Sequence, residues 1–525
     1  MTGSAAAPIG ARAQQSPQEV AVVDHDGSLT WDVVARTVDR VAAGLAAVAT
    51  RPGERWAVLG DNAAPTLLAH AAGLVAGVGT VAVSRQLTPA ELAYQLADAG
   101  AVAAVTGAPG LPAVLAAAER TGLRLVVVHG ADAPADPPVP VVTWDAWLAT
   151  EHAAAVAVQP AEGRPAAPML VYTSGTTGRP RATEVRWVAG AHATAAGYLR
   201  ALVDESHTPE GPHLVAGPLQ HNAPLTAVRH LLTGQPVVVL ERFDAEAALA
   251  AIARHRVTSS VMVPTHFQRL LALPAEVRER YDVSSLRLVA HTGSACPPAV
   301  KRAMIDWFGP VLVESYGGSE VGTLCRIGVE DWLARPGSVG RPVPPFEALV
   351  VDADGSRLPA GATGLLCFRA PPERGIRYLH DAEKTAAAYV ADGVLTLGDV
   401  GHVDADGFVY VTDRAADVVV SGGVNLYPAE SERVLATHPG VADVAVIGVP
   451  DDDLGEQLLA LVVPARAADP PAAPDLEAWC RRSLASYKCP KRYELVNHLP
   501  RNAMNKLDKP AMRRPYWPTG RTVAG

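Results

Sequence analysis

Apolar positions in the first half of the chain alternate between helical and strand-like spacing. From Trp31 to Val48 the apolar side chains recur every three or four residues, which predicts an amphipathic helix. The short apolar run Arg55–Leu59 predicts a buried strand, and a second helix is predicted at Ala64–Ala76. Similar apolar runs predict further strands at residues 78–83, 101–105, 123–128, 236–240 and 260–264. Strands that alternate with helices predict α/β layers with largely parallel sheets.

A change of pattern near residue 413 predicts a second domain. A chain of 525 residues exceeds what one hydrophobic core usually serves. After residue 413 the spacing becomes that of a compact α+β arrangement. We therefore predict a large N-terminal domain of layered α/β sheets, residues 1–413. A small α+β domain, residues 414–525, is predicted to follow it, with the boundary near residues 413–416.

Composition narrows the class of protein. With 49% hydrophobic and 19% charged residues, the chain is expected to be globular. Its net charge of −9 and the lack of a basic block argue against a nucleic-acid partner. Residues 1–15 do not resemble a signal peptide, and the longest run of small apolar residues, about 69–83, is too short for a membrane span. Five scattered cysteines without metal spacing suit a reducing cytosol, so a cytoplasmic protein is expected.

A loop rich in hydroxyls and glycines follows the apolar run 168–172. It comprises Thr173, Ser174, Gly175, Thr176, Thr177 and Gly178. Glycines allow the backbone to approach a ligand closely, and hydroxyl and main-chain N–H groups can donate to phosphate oxygens. The loop lacks the Gly-Lys-Ser/Thr of a Walker A motif, and Pro180 interrupts it. Taken alone, the loop is either a phosphate cradle or an ordinary surface turn.

Two later stretches carry residue types that suit a nucleotide. After an apolar run at 311–313, Tyr316 could stack on a base, Ser319 could donate to a phosphate and Glu320 could bind Mg²⁺. The alternative for Glu320 is a solvated carboxylate. Asp399, beside Gly398, could accept both hydroxyls of a ribose.

Three features lie further towards the C-terminus. The stretch 404–407 faintly resembles a calcium loop, but its Asp-Gly pair between apolar alternations favours a hairpin turn, and calcium is rejected. Gly422 and Gly423 form a second glycine-rich turn. Lys506 lies in a polar loop, where the alternative is an ordinary surface charge.

In this order and at these separations, the motifs resemble the adenylate-forming superfamily, which includes acyl-CoA synthetases, firefly luciferase and nonribosomal adenylation domains. The resemblance extends from about residue 28 to residue 514. Stretches 421–430 and 487–491 are similar to bacterial acyl-CoA ligases. Stretches 217–225 and 316–320 are similar to ligases for bulky, steroid-like carboxylic acids.

The resemblance implies a role for each motif. The implied nucleotide contacts are Thr173, Ser174, Gly175, Thr176, Thr177, Gly178, Gly293, Ser294, Ala295, Tyr316, Gly317, Ser319, Asp399 and Arg414. Within this set, residues 173–178 would hold the β- and γ-phosphates, residues 293–295 would border the adenine, and Asp399 with Arg414 would bind the ribose. Glu320 would bind Mg²⁺, and Lys506 would bridge the carboxylate and the α-phosphate.

The implied reaction joins a carboxylic acid to coenzyme A through an acyl-adenylate formed from ATP. His221 would gate or orient the acid, or would line the pocket without a proton role. The small domain would be mobile and would swing about a hinge near residues 414–416, at Ala416. Gly422 and Gly423 would then line the CoA channel. The acid pocket is expected near His221, Asn222, Met262, His266, His291 and Gly293. The expected partners are the acid, ATP or AMP, CoA and, as a homodimer, a second copy of the chain.

Four departures from the family pattern leave alternatives open. Arg181 and Ala182 stand where the family has Lys-Gly, Ala416 occupies the hinge, Asn505 precedes the lysine, and Glu184 follows the phosphate loop. If Glu184 faces the site, its negative charge disfavours binding of a triphosphate. One hypothesis is therefore a ligase with weak adenylation that mainly uses a supplied acyl-adenylate. Loading of a carrier protein, an inactive acyl- or nucleotide-binding protein and, distantly, a luciferase-like oxidation are the other readings.

Overall fold

A computed structural model describes residues 7–150, 164–173, 180–185, 187–188, 192–206, 208–421, 424–451, 454–501 and 506–517. The chain forms two compact units. The large unit comprises Met1–Val343 and Ala370–Ala387, and the small unit comprises Pro344–Arg369 and Ala388–Gly525. The domain boundary and hinge expected at residues 413–416 stay predictions.

Helices of the large unit follow the spacing of its apolar residues. The predicted helices appear as α2 and α3, and the buried side chains of α2 recur every three or four residues. The described helices are α1 Ala7–Gln15, α2 Trp31–Val48, α3 Ala64–Ala76, α4 Pro89–Asp98, α5 Leu111–Ala118, α6 Trp144–Leu148, α7 Ala195–Asp204, α8 Asn222–Leu232, α9 Ala245–His255, α10 Pro264–Leu271, α11 Ala275–Arg278, α12 Pro298–Phe308, α13 Val329–Ala334 and α14 Ala382–Ala387.

A nine-stranded sheet runs through the large unit in the order β16-β15-β14-β13-β12-β10-β11-β1-β2. Its strands are β1 Val20–Asp24, β2 Gly27–Thr30, β10 His213–Val215, β11 Val237–Val239, β12 Ser259–Met262, β13 Leu288–His291, β14 Leu312–Gly318, β15 Gly322–Gly328 and β16 Arg341–Pro342. The six strands from β14 to β1 in this order are parallel to their neighbours. The strand expected at 260–264 ends at Met262, because Pro264 begins α10, where its missing N–H costs no hydrogen bond.

A seven-stranded sheet has the order β7-β6-β5-β3-β4-β8-β9. Its strands are β3 Arg55–Leu59, β4 Gly79–Val83, β5 Ala101–Gly107, β6 Leu125–His129, β7 Val141–Thr143, β8 Leu170–Thr173 and β9 Arg181–Glu184. All are parallel to their neighbours except β9, which runs antiparallel to β8. Val58 of this sheet and Val215 of the nine-stranded sheet belong to one buried cluster with residues of α2, α3 and α8. A single core therefore joins the two sheets.

The small unit contains two five-stranded, mainly antiparallel sheets. One consists of β17 Glu347–Val351, β18 Gly364–Arg369, β19 Tyr389–Ala391, β20 Val394–Val403 and β21 Val409–Arg414. The other consists of β22 Val419–Ser421, β23 Val424–Leu426, β24 Val441–Asp451, β25 Gly455–Pro464 and β26 Arg492–Leu495. Its helices are α15 Pro428–Leu435, α16 Ala473–Arg481 and α17 Lys509–Arg513.

The α/β class predicted for the chain is confirmed, and so is one local turn. The N–H of Gly407 donates to the carbonyl oxygen of Asp404 at 3.1 Å, and Gly407 has φ +84°. This turn joins β20 to β21 as the hairpin that the Asp-Gly pair predicts. Among the helices that the structure describes, none has the length and apolar character needed to cross a bilayer.

Candidate active site

One edge of the nine-stranded sheet carries most of the predicted acyl and adenine residues. The loop containing His221 follows β10, residues 293–295 follow β13, and Tyr316 lies near the end of β14. These three strands run parallel, so their carboxyl ends meet at the same edge, where open α/β sheets bind ligands. The fold therefore brings together three segments separated by about a hundred residues of chain.

Asn62 fastens this edge to the other sheet. It follows β3, and its amide nitrogen donates to the carbonyl oxygens of Gly217 at 3.0 Å and Leu240 at 2.8 Å. Its amide oxygen accepts from the N–H of Leu219 at 2.9 Å. The side chain is buried, so these bonds satisfy groups that would otherwise lose water without compensation. The sequence analysis assigned no role to Asn62, because its partners lie far away along the chain.

His221 precedes α8 with an extended backbone, φ −108°. Its Nε2 lies 3.5 Å from Nε2 of Gln220, and the ring is partly buried. Gln220 itself packs against Gly60, where a Cβ would lie 2.5 Å from the Cβ of Gln220. The loop that carries His221 is therefore held by close packing as well as by Asn62.

Other residues expected in the acid pocket are more deeply buried. His266 stacks on Phe243 with ring centroids 4.0 Å apart, and burial lowers its pKa to about 4, so the ring is neutral. His291 meets Phe267 edge-on at 5.3 Å, and burial lowers its pKa to about 3. Met262 and His291 have almost no exposed surface, so in this structure they pack in the core instead of facing a ligand.

A buried ion pair lies behind the adenine edge. Lys301 in α12 is 1% exposed, and its Nζ contacts a carboxylate oxygen of Glu314 in β14. The same Nζ lies 4.7 Å from the ring centroid of Trp332. Burial lowers the pKa of Lys301 and raises the pKa of Glu314, while each partner's charge opposes that shift. Because α12 follows residues 293–295 and Glu314 lies two residues before Tyr316, this pair fixes the two adenine segments against each other.

Replacement of Lys301 by Met is expected to destabilise the large unit. It leaves Glu314 buried without its counter-charge, which costs roughly 3–5 kcal/mol. The double variant Lys301→Met/Glu314→Leu removes both charges and should recover most of that loss. Urea unfolding measures both effects, with Asp306→Asn, an exposed change on the same helix, as the control. A double variant as unstable as Lys301→Met would contradict this account of the pair.

The structure places only the first residue of the phosphate loop. Thr173 ends β8 at the carboxyl edge of the seven-stranded sheet and is largely buried. Its hydroxyl has no hydrogen-bond partner within the described parts of the chain, and so is available to a phosphate oxygen. Ser174, Gly175, Thr176, Thr177 and Gly178 lie outside the described residues, and their contacts stay predictions.

The departures after this loop have structural roles. Nε of Arg181 donates to Asp381 at 2.6 Å, and its Nη1 donates to the hydroxyl of Tyr94 at 2.8 Å. Ala182 is fully buried opposite Tyr172 in extended backbone, where glycine is not required. Glu184 pairs with Leu170 at the far end of the hairpin, about 10 Å along the strand from Arg181. Glu184 therefore lies away from the phosphate loop, and its charge is not expected to repel a triphosphate.

The turn between β14 and β15 carries the predicted metal ligand. At Gly317 a Cβ would lie 1.9 Å from the carbonyl oxygen of Gly322, so only glycine fits this close approach. The strand that contains most of the apolar run 311–313 continues to Gly318, because residues 313–318 pair with β15. Ser319 and Glu320 follow in the turn, both partly exposed. The hydroxyl of Tyr378 donates to Oε1 of Glu320 at 3.4 Å.

The donor set at this turn fits Mg²⁺. This ion is usually held by one or two carboxylates together with substrate phosphates and water. Glu320 offers one partly exposed carboxylate, and its hydrogen bond from Tyr378 is the kind of outer contact that orients metal ligands.

The two predicted ribose residues meet in the small unit. Asp399 in β20 lies directly opposite Arg414 in β21, and Nε of Arg414 is 2.8 Å from Oδ1 of Asp399. Asp399 is 3% exposed, whereas the side chain of Arg414 is 57% exposed. The pair thus presents a guanidinium held in place by a buried carboxylate.

The remaining predicted residues also belong to the small unit. Ala416 lies in a short 3₁₀ turn, Ala415–Asp417, and its carbonyl oxygen accepts from Nη1 of Arg513 at 3.0 Å. Lys506 is exposed and adjoins Leu507, which pairs with Arg501. Gly422 and Gly423 lie outside the described residues, between β22 and β23.

Two family models match the chain. The model for AMP-binding enzymes matches residues 9–373. The model for the C-terminal domain of AMP-binding enzymes matches residues 430–506. Together they span both units.

Named relatives are similar along almost the whole length. A 3-[(3aS,4S,7aS)-7a-methyl-1,5-dioxo-octahydro-1H-inden-4-yl]propanoyl:CoA ligase of Mycobacterium tuberculosis is 35% identical over 513 residues, which cover 95% of this chain and 96% of the relative. A feruloyl-CoA synthase of an Amycolatopsis species is 33% identical, with 96% and 97% covered.

Solved structures share the fold. The o-succinylbenzoate CoA synthetase MenE from Bacillus subtilis, in complex with its acyl-adenylate intermediate, matches with a TM-score of 0.77 and 27% identity, covering 97% of this chain and 98% of that one. The same synthetase in complex with ATP and magnesium ion matches with a TM-score of 0.75 and 27% identity, covering 96% and 98%. The chain belongs to the AMP-binding enzyme family, as its motifs predict.

Proposed function

We propose that this protein activates a bulky, alicyclic carboxylic acid and transfers its acyl group to coenzyme A. It is an AMP-forming acid–CoA ligase that works through an acyl-adenylate and uses ATP, Mg²⁺ and CoA. The substrate class rests on the relatives from Mycobacterium tuberculosis and Rhodococcus jostii, 35% and 33% identical, which are named for a bicyclic propanoic acid.

One observation of the structure carries the assignment of the site. The parallel strands β10, β13 and β14 deliver His221, residues 293–295 and Tyr316 to a single sheet edge. Asn62 ties the loop that contains His221 to the seven-stranded sheet, whose strand β8 ends at Thr173. The residues proposed for the acid, the adenine and the phosphates thus lie at the carboxyl edges of two sheets in the large unit, and Asn62 links these two edges.

In the first half-reaction a carboxylate oxygen attacks the α-phosphorus of ATP. An O–P bond forms, and pyrophosphate leaves. Two anions approach and negative charge develops between them, so positioned cations and N–H donors are the main means of lowering the barrier. Lys506 neutralises the carboxylate and the α-phosphate, and Thr173 with residues 174–178 donates to the β- and γ-phosphates. Glu320 would hold Mg²⁺, which would supply further positive charge at the phosphates.

In the second half-reaction the CoA thiolate attacks the acyl carbon of the adenylate. A C–S bond forms, the C–O bond to phosphate breaks, and AMP leaves. Asp399 and Arg414 hold the ribose throughout. Rotation of the smaller domain about Ala416 brings Gly422 and Gly423 to the thiol of CoA. Because glycine has no side chain, the thiol can come close to the backbone there.

The reading with weak adenylation loses its physical support. Arg181 is held by Asp381 and Tyr94, Ala182 is buried in the sheet, and Glu184 lies at the far end of the hairpin. None of these contacts opposes binding of a triphosphate. One relative, of Streptomyces coeruleorubidus and 30% identical, is named a fatty acid–[acyl-carrier-protein] ligase, whereas the relatives at 33–35% identity are named for CoA, so CoA is the favoured acceptor. An inactive binding protein gains no support. We therefore expect full adenylation activity with ATP.

A panel of acids tests the proposed function. The purified protein with ATP, Mg²⁺ and CoA should release AMP and form a thioester most rapidly with a bicyclic alicyclic propanoate. Ferulate and a linear fatty acid of equal carbon number serve as comparison substrates. Thioester formation only from supplied acyl-adenylate would restore the weak-adenylation reading, and faster turnover of either comparison acid would overturn the substrate class.

Cytoplasmic location and a homodimer belong to the same proposal. All five cysteines are free, which suits a reducing compartment. Size-exclusion chromatography with light scattering tests the dimer, for which a mass near twice 54.7 kDa is expected.

A further inference from the structure

A segment at residues 377–385 packs along the strand that leaves the phosphate loop. The N–H of Leu379 donates to the carbonyl oxygen of Ala182 at 2.9 Å. The hydroxyl of Thr183 donates to the carbonyl oxygen of Arg377 at 3.2 Å. The segment therefore runs alongside β9, and its side chains lie near the residues that follow the phosphate loop.

Tyr378 links this segment to the predicted metal ligand. Its hydroxyl donates to Glu320, while its N–H donates to the hydroxyl of Thr385 at 3.0 Å. A phenol is protonated at neutral pH, so this hydroxyl can donate to the carboxylate of Glu320. The ring is thus fixed at one end by Glu320 and at the other by its own backbone.

Lys384 lies on the face of that ring. Its Nζ is 4.3 Å from the ring centroid of Tyr378, and the side chain is partly buried. Within the described residues the ammonium makes no ion pair and no hydrogen bond. The neighbouring carboxylate of Asp381 accepts instead from Nε of Arg181 and from the N–H of Lys384. A positive charge is therefore held, without a counter-charge in contact, between Glu320 and the loop exit.

From this placement we infer that Lys384 binds the β- and γ-phosphates of ATP and the departing pyrophosphate. Tyr378 acts as a positioning residue: its ring holds Lys384 and its hydroxyl holds Glu320 in place. The inference rests on the proposed function, because it names a residue that binds the polyphosphate of ATP during the first half-reaction. A triphosphate bound beside Thr173 and Glu320 brings negative charge to this side of the large unit, and a cation already positioned over an aromatic ring stabilises such charge.

Pyrophosphate binding to Lys384→Met tests this directly. The variant keeps the length and apolar stem of the side chain while removing its charge. Isothermal titration with Mg²⁺-pyrophosphate should show at least about tenfold weaker binding than the wild type, and Lys384→Arg should restore most of it. The control is Arg120→Met, which removes one exposed positive charge after α5 and should bind pyrophosphate as the wild type does.

Two further measurements separate the possible failures. Thioester formation from synthetic acyl-adenylate should stay within about twofold in Lys384→Met, since no pyrophosphate takes part, and this also shows that the variant is folded. Tyr378→Phe should raise the Mg²⁺ concentration needed for half-maximal adenylation several-fold, as expected for loss of an outer contact to a ligand. Unchanged pyrophosphate binding in Lys384→Met overturns the inference, whereas a wild type that forms no adenylate from ATP overturns the proposed function.

Discussion

Replacement of Lys506 by Ala is expected to slow acyl-adenylate formation by about 10²–10³-fold, the usual effect of removing one preorganised donor from developing charge. Lys506 is exposed in the small unit, so its loss should leave the stability of the fold unchanged within about 0.5 kcal/mol. Pyrophosphate release with ATP and a bulky acid measures the first half-reaction. Thioester formation from synthetic acyl-adenylate, measured separately, should fall far less.

Lys491→Ala is the matched control for this prediction. Lys491 is also an exposed lysine of the small unit, but it lies outside the proposed adenylation site. Its replacement should change pyrophosphate release by less than about twofold, in the range of a surface substitution. Equal losses in the two variants, or a Lys506→Ala enzyme that adenylates at the wild-type rate, would remove Lys506 from the mechanism.

Acid should destabilise the large unit steeply, because it buries several neutral histidines. Burial lowers the pKa of each of them, to about 3 for His70 and His291, to about 4 for His230 and His266, and well below the ordinary value for His213. As the pH falls below about 6.5, these histidines bind protons in the unfolded chain but stay neutral in the folded chain. Stability present above that pH is therefore lost, by about 1.4 kcal/mol per pH unit for each histidine, until the folded pKa is reached.

The slope of the unfolding free energy between pH 6.5 and about 5 tests this prediction. His291→Leu should reduce the slope by about one proton, since neither ring nitrogen of His291 has a hydrogen-bond partner in the described chain. Met304→Leu, a buried change that involves no titratable group, should leave the slope unchanged. A slope equal to the wild type in His291→Leu would show that this ring does not titrate as a buried neutral group.

The pattern of apolar residues predicted the layers of the fold well. The helices α2 and α3 and the strand β3 begin and end where the spacing places them. The hairpin after β20 follows from its Asp-Gly pair, because that turn needs a residue that tolerates positive φ. These features depend on local conformation and on burial of one face, both of which are written in short stretches of sequence.

Contacts between distant segments could not be predicted in this way. Asn62 binds Gly217 and Leu240, more than 150 residues away, and nothing in its own neighbourhood signals those partners. The buried pair of Lys301 and Glu314 was hidden for a similar reason, since either residue alone resembles a surface charge. The family motifs indicated where the site lies, whereas the packing that holds it emerged only from the fold.

Oxygen-18 transfer tests the central claim that the acid is activated as its adenylate. The protein is incubated with ATP, Mg²⁺, CoA and an acid labelled in both carboxylate oxygens, and the products are analysed by mass spectrometry. Attack of the carboxylate on the α-phosphorus followed by thiolysis must leave one labelled oxygen in AMP and one in the thioester. AMP that carries no label, or a reaction that releases ADP and phosphate, would contradict the account.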